Sequence, residues 1–393
     1  MYNCPDMVDV AYVPKFPSPF YSKIGKTKIV GIELPNQQRE TAFMKKSNTK
    51  KYILSGAFLV VLMAVTFYVI FKDTSLNEIW GLLKTVKLSY VFAGILAMFG
   101  FFIFQGIVIG LSAECQQIKL TTWEMMQYSF VSFFYSGITP SAAGGQPMQF
   151  YYMCRDKMSP SKATLVLFIT NMAYQIIIVV LGLLAFFFKI SYIASVSGTI
   201  IALFFLGLSL NLLILLILLG TMFRENLLRR ILNKALSFFS RIRIIKNREK
   251  AQASIDDYLE EFKDGVELIK TNGKRFTLIL LYTAAHFLIY HLVPFFVYKA
   301  FGLSGATLID LVAISAVLYV ALNLFPLPGS MGAAEGGFVI MFGPLFTKAA
   351  LPAMLLSRFI NFYTMVIFSG IFSAYSQLRK PYNLTKKHEL KVK

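Results

Sequence analysis

The sequence predicts an all-α polytopic membrane protein, with about six full transmembrane helices and two Pro/Gly-broken re-entrant hairpins arranged as an inverted repeat. Three observations carry this. Of 393 residues, 56% are hydrophobic and only 15% charged, with a mean hydropathy of +0.61, whereas a soluble domain carries roughly 25% charged residues. The apolar residues gather into several uninterrupted runs longer than the ~18 that mark a membrane span. Two further apolar runs are cut by clusters of proline and glycine.

Residues 1–51 are polar and hold nine Lys and Arg, with Pro14, Pro17 and Pro19. No apolar core of a cleavable signal precedes Tyr52, so the first span is expected to act as its own insertion signal. The clearest spans are 52–71, 90–111, 163–188, 197–220, 276–298 and 351–375. Each has about 20 residues or more, enough to cross a ~30 Å hydrocarbon core at 1.5 Å per residue. Lysine, arginine and tyrosine mark their ends, among them Lys51, Lys72, Lys189, Tyr90 and Tyr375, as interfacial anchors do.

Five segments follow: a basic tail (1–51), a first membrane half (52–220), a connector (221–275), a second membrane half (276–377) and a basic tail (378–393). The connector reads as two amphipathic surface helices, one carrying Leu227, Leu228, Ile231, Leu232, Ala235 and Phe239, the other Ile255, Tyr258, Leu259, Phe262, Val266 and Ile269. It holds thirteen Lys and Arg, and six more follow Gln377. The net charge of +19 thus sits in hydrophilic segments beside spans, the pattern of the positive-inside rule. Both tails and the connector are expected in the cytoplasm, against an anionic inner leaflet, and nucleic acid is not the expected partner. Cys4, Cys115 and Cys154 lack CxxC spacing, and His286, His291 and His388 have no partner cysteines. No disulfide framework, metal or cofactor is expected.

The two interrupted segments are 125–154, broken over 137–147, and 308–346, broken over 325–337. Aligning Pro140 with Pro328 also aligns Gly144 with Gly332 and Phe150 with Phe338, the shared pattern P-x3-G-x5-F. Pro removes an N–H and Gly loosens the backbone. In lipid, a broken backbone survives only where protein or a watery cavity satisfies it. Parity then orders the chain. Four full spans separate the N-terminal tail from the connector and two separate the connector from the C-terminal tail. Each hairpin therefore enters and leaves on one side, the first from the cytoplasm and the second from outside. Complete two-helix crossings would keep the same parity, giving six to ten spans. Opposed broken tips are how many transporters build a midplane site.

At these breaks the sequence resembles the transmembrane flippase domain of the lysylphosphatidylglycerol synthase/flippase (MprF) family, in a stand-alone form. The carriers are the run Thr139-Pro140-Ser141-Ala142-Ala143-Gly144-Gly145-Gln146-Pro147, the run Leu327-Pro328-Gly329-Ser330-Met331-Gly332-Ala333-Ala334-Glu335, and Ser357-Arg358-Phe359. The likeness covers roughly residues 50–377. It implies movement of aminoacylated phosphatidylglycerol or a similar phospholipid between the leaflets of a bacterial cell membrane, with a link to cationic-peptide resistance. The alternative is phosphatidylglycerol lysyltransferase activity, which would bring lysyl-tRNA as a partner. In bifunctional members that reaction belongs to an additional soluble domain, for which this chain leaves no room after its last helix. Many relatives place an acidic and then a basic residue just after the first glycines, where this chain has Gln146 and Gln149.

Glu335 and Arg358 are the sharpest site candidates, because an ionisable side chain inside an apolar segment is a functional hypothesis by default. Arg358 suits a lipid phosphate bidentately, and Glu335 a cationic headgroup. Pro140, Gly144, Gly145, Pro328, Gly329 and Gly332 shape the breaks; the glycines permit close backbone approach, and half-helix N-termini present free N–H groups to anions. Gln146, Gln149, Asn171, Gln175 and Asn323 either line a polar groove or bond between helices. His286 and His291, five apart, do not share a helix face. Asp310 is expected at the interface. No Walker motif or Ser/His/Asp constellation appears. A homo-oligomer is left open.

Overall fold

The computed structural model describes residues 76–139, 142–223, 273–325 and 327–379, with scattered residues between 229 and 267. The first expected span (52–71), the N-terminal tail, residues 380–393, most of the expected connector helices and Pro140 lie outside them. Every regular element among the described residues is helical. In chain order these are α1 (Leu76–Lys84), α2 (Leu88–Glu114), α3 (Thr122–Ile138), α4 (Gly145–Arg155), α5 (Pro160–Val196), α6 (Gly198–Phe223), α7 (Gly273–His291) and α8 (Val293–Ala300). They continue with α9 (Leu308–Leu322), α10 (Ala333–Phe346), α11 (Ala350–Arg358) and α12 (Thr364–Leu378). Five stretches are long and apolar enough to cross a membrane, held by α2, α5, α6, α7–α8 and α10–α12. Thr347, at φ 50° and ψ −123°, turns the chain between α10 and α11.

The remaining five expected spans all appear, with their ends adjusted by local chemistry. α5 runs on through a kink at Lys189 (φ −124°, ψ 18°) to Val196. The span expected over 276–298 breaks at Leu292, where Pro294 opens α8. The last span contains a π-helical turn, Phe359–Tyr363, between α11 and α12.

Side-chain contacts fix the directions. Along α2, Gly94, Phe101, Phe104 and Glu114 meet Phe296, His286, Tyr282 and Arg275 in turn, so α7–α8 runs antiparallel to α2. α3 descends beside α12, from Trp123 against Tyr375 to Gly137 against Val366. α9 descends beside α5, from Asp310 at Lys189 to Val320 at Gly182. The two halves thus exchange equivalent contacts, hairpin one on the last long helix and hairpin two on α5. That is the packing of an antiparallel two-fold repeat.

Both hairpins begin alike. Thr121 Oγ1 accepts from Glu124 N while Glu124 Oε2 accepts from Thr121 N, and Thr307 and Asp310 repeat this reciprocal cap at α9. Such a box satisfies N–H groups that the first helical turn leaves without partners. Each hairpin then returns to the end it came from. α4 finishes with Arg155 Nη1 donating to Ser376 O, beside the α3 start. α10 finishes with Phe346 against Tyr298, at the Lys189 end. Both are re-entrant, and they enter from opposite ends.

Close helix approach comes from small residues, as lipid offers no hydrophobic drive between helices. A Cβ at Gly207 of α6 would overlap the Val320 carbonyl of α9. Outward positions stay apolar: Phe188, Leu216 and Ile371 are 73%, 57% and 67% exposed, which suits acyl chains rather than water.

Candidate functional site

The breaks after α3 and before α10 share more than sequence. Ala142 and Ser330, each two residues past the aligned prolines, are both left-handed, at φ 54° and 52°. Gly144 and Gly332, aligned by sequence, both occupy the N-cap of the returning half-helix. A non-glycine residue in the left-handed region costs roughly 1–2 kcal/mol, so each tip holds a backbone that its surroundings must enforce. At tip two Gly329 (φ 57°) lies against the Cζ end of the Phe362 ring, and at tip one Gly137 approaches Phe362 and Val366. Phe362, on the π-helical turn, therefore touches both hairpins where they meet.

One turn earlier Arg358 carries the only guanidinium at this level of the described structure. Its Nε donates to Glu335 Oε1 at 2.7 Å, its Nη2 donates to the Gly329 carbonyl at 3.2 Å, and its guanidinium carbon stands 5.3 Å from the Phe362 ring centre. The other carboxylate oxygen, Oε2, accepts the Gly332 N–H at 2.6 Å. Glu335 thus caps α10 and holds Arg358 with the same carboxylate. Both are buried, at 3% and 8% exposure. A buried charge without a partner is strongly disfavoured, so the pair stands or falls together.

Beside the pair lies a cavity of about 120 Å³, lined by Tyr290, Ser315, Asn323, Ser330, Arg358 and Asn361 among others. Arg358 faces it and Glu335 does not. The Asn361 Oδ1, on the π-helical turn, is buried without a hydrogen-bond partner among the described residues. A π-turn widens the helix, and such turns recur at functional sites.

Of the residues picked from sequence, Glu335, Arg358, Gly329 and Gly332 come together here; Pro328 opens the short 3₁₀ turn Pro328–Ser330. Gly144, Gly145, Gln146 and Gln149 form the other tip. A Cβ at Gly145 would fall within 2.7 Å of the Ser132 carbonyl, so this glycine seats α4 directly on α3. Gln146 Nε2 donates to Asn171 Oδ1 at 2.6 Å, tying α4 to α5 much as Glu335 ties α10 to α11, but without charge. Gln149 Nε2 is buried and unpartnered among the described residues. Asn323 pairs with Asn211 of α6 at 3.2 and 3.4 Å, an interhelical bond. The amides thus do not share one groove. His286 and His291 serve different neighbours, the Phe101 carbonyl and the Ser315 hydroxyl, each at 3.0 Å. No cluster of metal-ligating side chains occurs among the described residues.

Sequence reasoning missed three features. Phe362 and its π-turn have no sequence signal. Asp156, 1% exposed, accepts from Tyr128 OH at 3.0 Å and Gln127 Nε2 at 3.2 Å, anchoring hairpin one; standing between Arg155 and Lys157, it carries no sequence signal of burial. The Lys189–Asp310 ion pair spans 121 positions of sequence, and only the fold brings it together.

Opposed re-entrant hairpins, an antiparallel repeat and a buried charge pair at the tips define a polytopic membrane protein of the inverted-repeat class, a layout that places sites inside the bilayer. Residues 52–369 match the family described as lysylphosphatidylglycerol synthase TM region. The chain belongs to this family. It is also 22% identical over 339 residues, 82% of this chain and 97% of the other, to a protein of Archaeoglobus fulgidus named UPF0104 membrane protein.

Proposed function

We propose that the protein is a lipid flippase-like carrier, passing the headgroup of a phospholipid through the cavity at the tip of hairpin two while the acyl chains stay in the surrounding lipid. The observation that supports this most is the buried Arg358–Glu335 pair beside a cavity of about 120 Å³. At about 30 Å³ per water, that space suits a few waters or one small polar group, not an acyl chain. Arg358 keeps Nη1 without a protein acceptor among the described residues, which favours a lipid phosphate as its ligand. Glu335 has both oxygens engaged, so its role is to orient Arg358 and cap α10 rather than to meet a cationic headgroup. Gly329, Gly332, Gly144 and Gly145 hold the backbone geometry of the tips, Gln146 ties the other tip to Asn171, and buried Gln149 leaves its Nε2 as a neutral donor there. Family membership makes aminoacylated phosphatidylglycerol the first lipid to test. The basic tails and connector favour a cytoplasmic position for both termini in a cell membrane.

The decisive experiment uses proteoliposomes of the full chain with headgroup-labelled phosphatidylglycerol and its lysyl form. We expect leaflet exchange, lost on Arg358→Ala and reduced on Glu335→Gln. No exchange by the wild type, or exchange unaffected by both changes, would refute the reading. Lysyl-lipid synthesis from charged tRNA by the purified chain would instead establish the transferase alternative that the family description leaves available.

A further inference from the structure

A second polar cavity lies at the end of the bundle where hairpin two enters. Its volume is about 300 Å³, and its walls include Lys189, Tyr192, Tyr298, Asp310, Ile314 and Pro344. It is separate from the tip cavity: Ile314 faces this one while its neighbour Ser315 lines the other, so α9 stands between them.

The charges here are paired but not exhausted. Lys189 Nζ bonds Asp310 Oδ1, and Asp310 Oδ2 accepts the Thr307 N–H at 2.8 Å. An ammonium has three donors and a carboxylate about four acceptor sites, so each retains capacity. Their side chains are 26% and 24% exposed, open enough to be reached. The kink in α5 falls on Lys189 itself. The facing wall is held rigidly: Tyr298 OH donates to Ser304 O at 2.7 Å and accepts from Ala306 N at 3.3 Å, with Gly302 and Gly305 at φ 71° and 108° shaping the loop.

What surrounds the pair names the source of its ligand. Phe187, Phe188 and Ile190 flank Lys189, Leu308 and Ile309 flank Asp310, and all five are exposed. On a membrane helix those side chains meet acyl chains, so whatever the ion pair binds arrives attached to a lipid tail.

We propose that Lys189 and Asp310 form an interfacial docking site for phospholipids whose headgroup carries both a phosphate and a primary ammonium. Lys189 takes the phosphate and Asp310 the ammonium, the two charges of the ligand inserting alongside the two charges of the pair. Anionic phosphatidylglycerol satisfies Lys189 alone and binds less well. The site needs only membrane residence. Its role as a loading station for the tip cavity rests on the flippase reading, and binding and exchange are therefore read separately.

The test uses the full chain in phosphatidylcholine nanodiscs doped with a headgroup-photoreactive phosphatidylethanolamine, or with its phosphatidylglycerol counterpart, and maps the labelled peptides by mass spectrometry. We expect phosphatidylethanolamine to label the peptides around Tyr192 and 304–310. Asp310→Asn should lower that labelling about tenfold, the ratio that about 1.4 kcal/mol produces, and leave phosphatidylglycerol labelling within twofold. Lys189→Ala should lower both. Water-soluble phosphoethanolamine in excess should not displace the lipid. Asp310→Asn keeps a side-chain oxygen to accept from Thr307 N, so it should melt close to the wild type, showing that the fold is intact. Absence of labelling at these peptides, equal loss of both lipids on Asp310→Asn, or displacement by phosphoethanolamine would overturn the proposal. Labelling as expected without leaflet exchange would leave this site standing and remove the flippase reading alone.

Discussion

Neutralising Glu335 probes the tip site most directly. In Glu335→Gln the side-chain oxygen can still accept from Gly332 N, so the cap survives, but Arg358 keeps its charge at 8% exposure with no carboxylate beside it. Removing one partner of a buried pair costs about 3–5 kcal/mol; because unfolded membrane segments also find partners, about 3 kcal/mol is the better expectation. Arg358→Gln should cost a similar amount by stranding Glu335. The double change removes both charges and should cost about 2 kcal/mol less than the sum of the single changes, the coupling between the two side chains. Reversible denaturation of the full chain in mixed micelles measures all three. Glu335→Ala should lose roughly 1 kcal/mol more than Glu335→Gln, the value of the cap. Added salt should leave these differences in place, since buried pairs are screened little. Single costs below about 1 kcal/mol that simply add would show that Arg358 is not held by Glu335, and the site as described would be wrong.

Gly329→Ala should destabilise by more than about 2 kcal/mol, because alanine resists φ 57° and its methyl would stand within 2.6 Å of Phe362 Cε2; adding Phe362→Leu should recover part of the loss in the same melt. Asp156→Ala strips buried Tyr128 and Gln127 of their shared acceptor at about 1–3 kcal/mol per orphaned group. It should speed maleimide modification of the half-buried Cys154 at the end of α4, and an unchanged rate would mean that hairpin one does not hang on Asp156. Gly207→Val must push α6 from α9 at the Val320 carbonyl, so its melting point should fall below that of Gly198→Val, where a Cβ meets nothing. Single cysteines placed in 221–275 should react only with reagent on the side that reaches both tails; access from the opposite side would reverse the proposed orientation.

The parts of the fold legible in sequence are those set by local chemistry and by the bilayer. Long apolar runs without charge have few alternatives to a spanning helix, and α2, α5 and α6 lie where such runs place them. Pro and Gly clusters locate a break, and parity of basic segments predicts hairpins entering from opposite ends, as their contacts have them. Helix ends are less legible because they depend on tertiary partners. α5 passes its expected end at Phe188 because Lys189 is held by Asp310, a residue supplied by the other half. The tip site was half legible. Glu335 and Arg358 betray themselves as charges in apolar segments. Phe362 does not, being one aromatic among 38 phenylalanines, and its importance comes from a π-turn that only packing against two hairpins reveals.

The repeat itself explains why only one tip holds a charge pair. Both hairpins share the reciprocal threonine–acid cap, the left-handed residue two past the aligned proline, and a glycine N-cap. These features build the re-entrant backbone, and a backbone break in lipid demands the same solution wherever it occurs. The polar cross-link from each returning half-helix to the long helix after it is free to vary once that backbone stands. Hairpin one makes it with Gln146 and Asn171, hairpin two with Glu335 and Arg358. A neutral amide pair performs the structural task at lower desolvation cost than two buried ions. Gln146 stands exposed at the first tip, whereas Glu335 and Arg358 are buried at the second, and two buried ions beside a polar cavity are the strongest physical reason to look for ligand chemistry at Arg358.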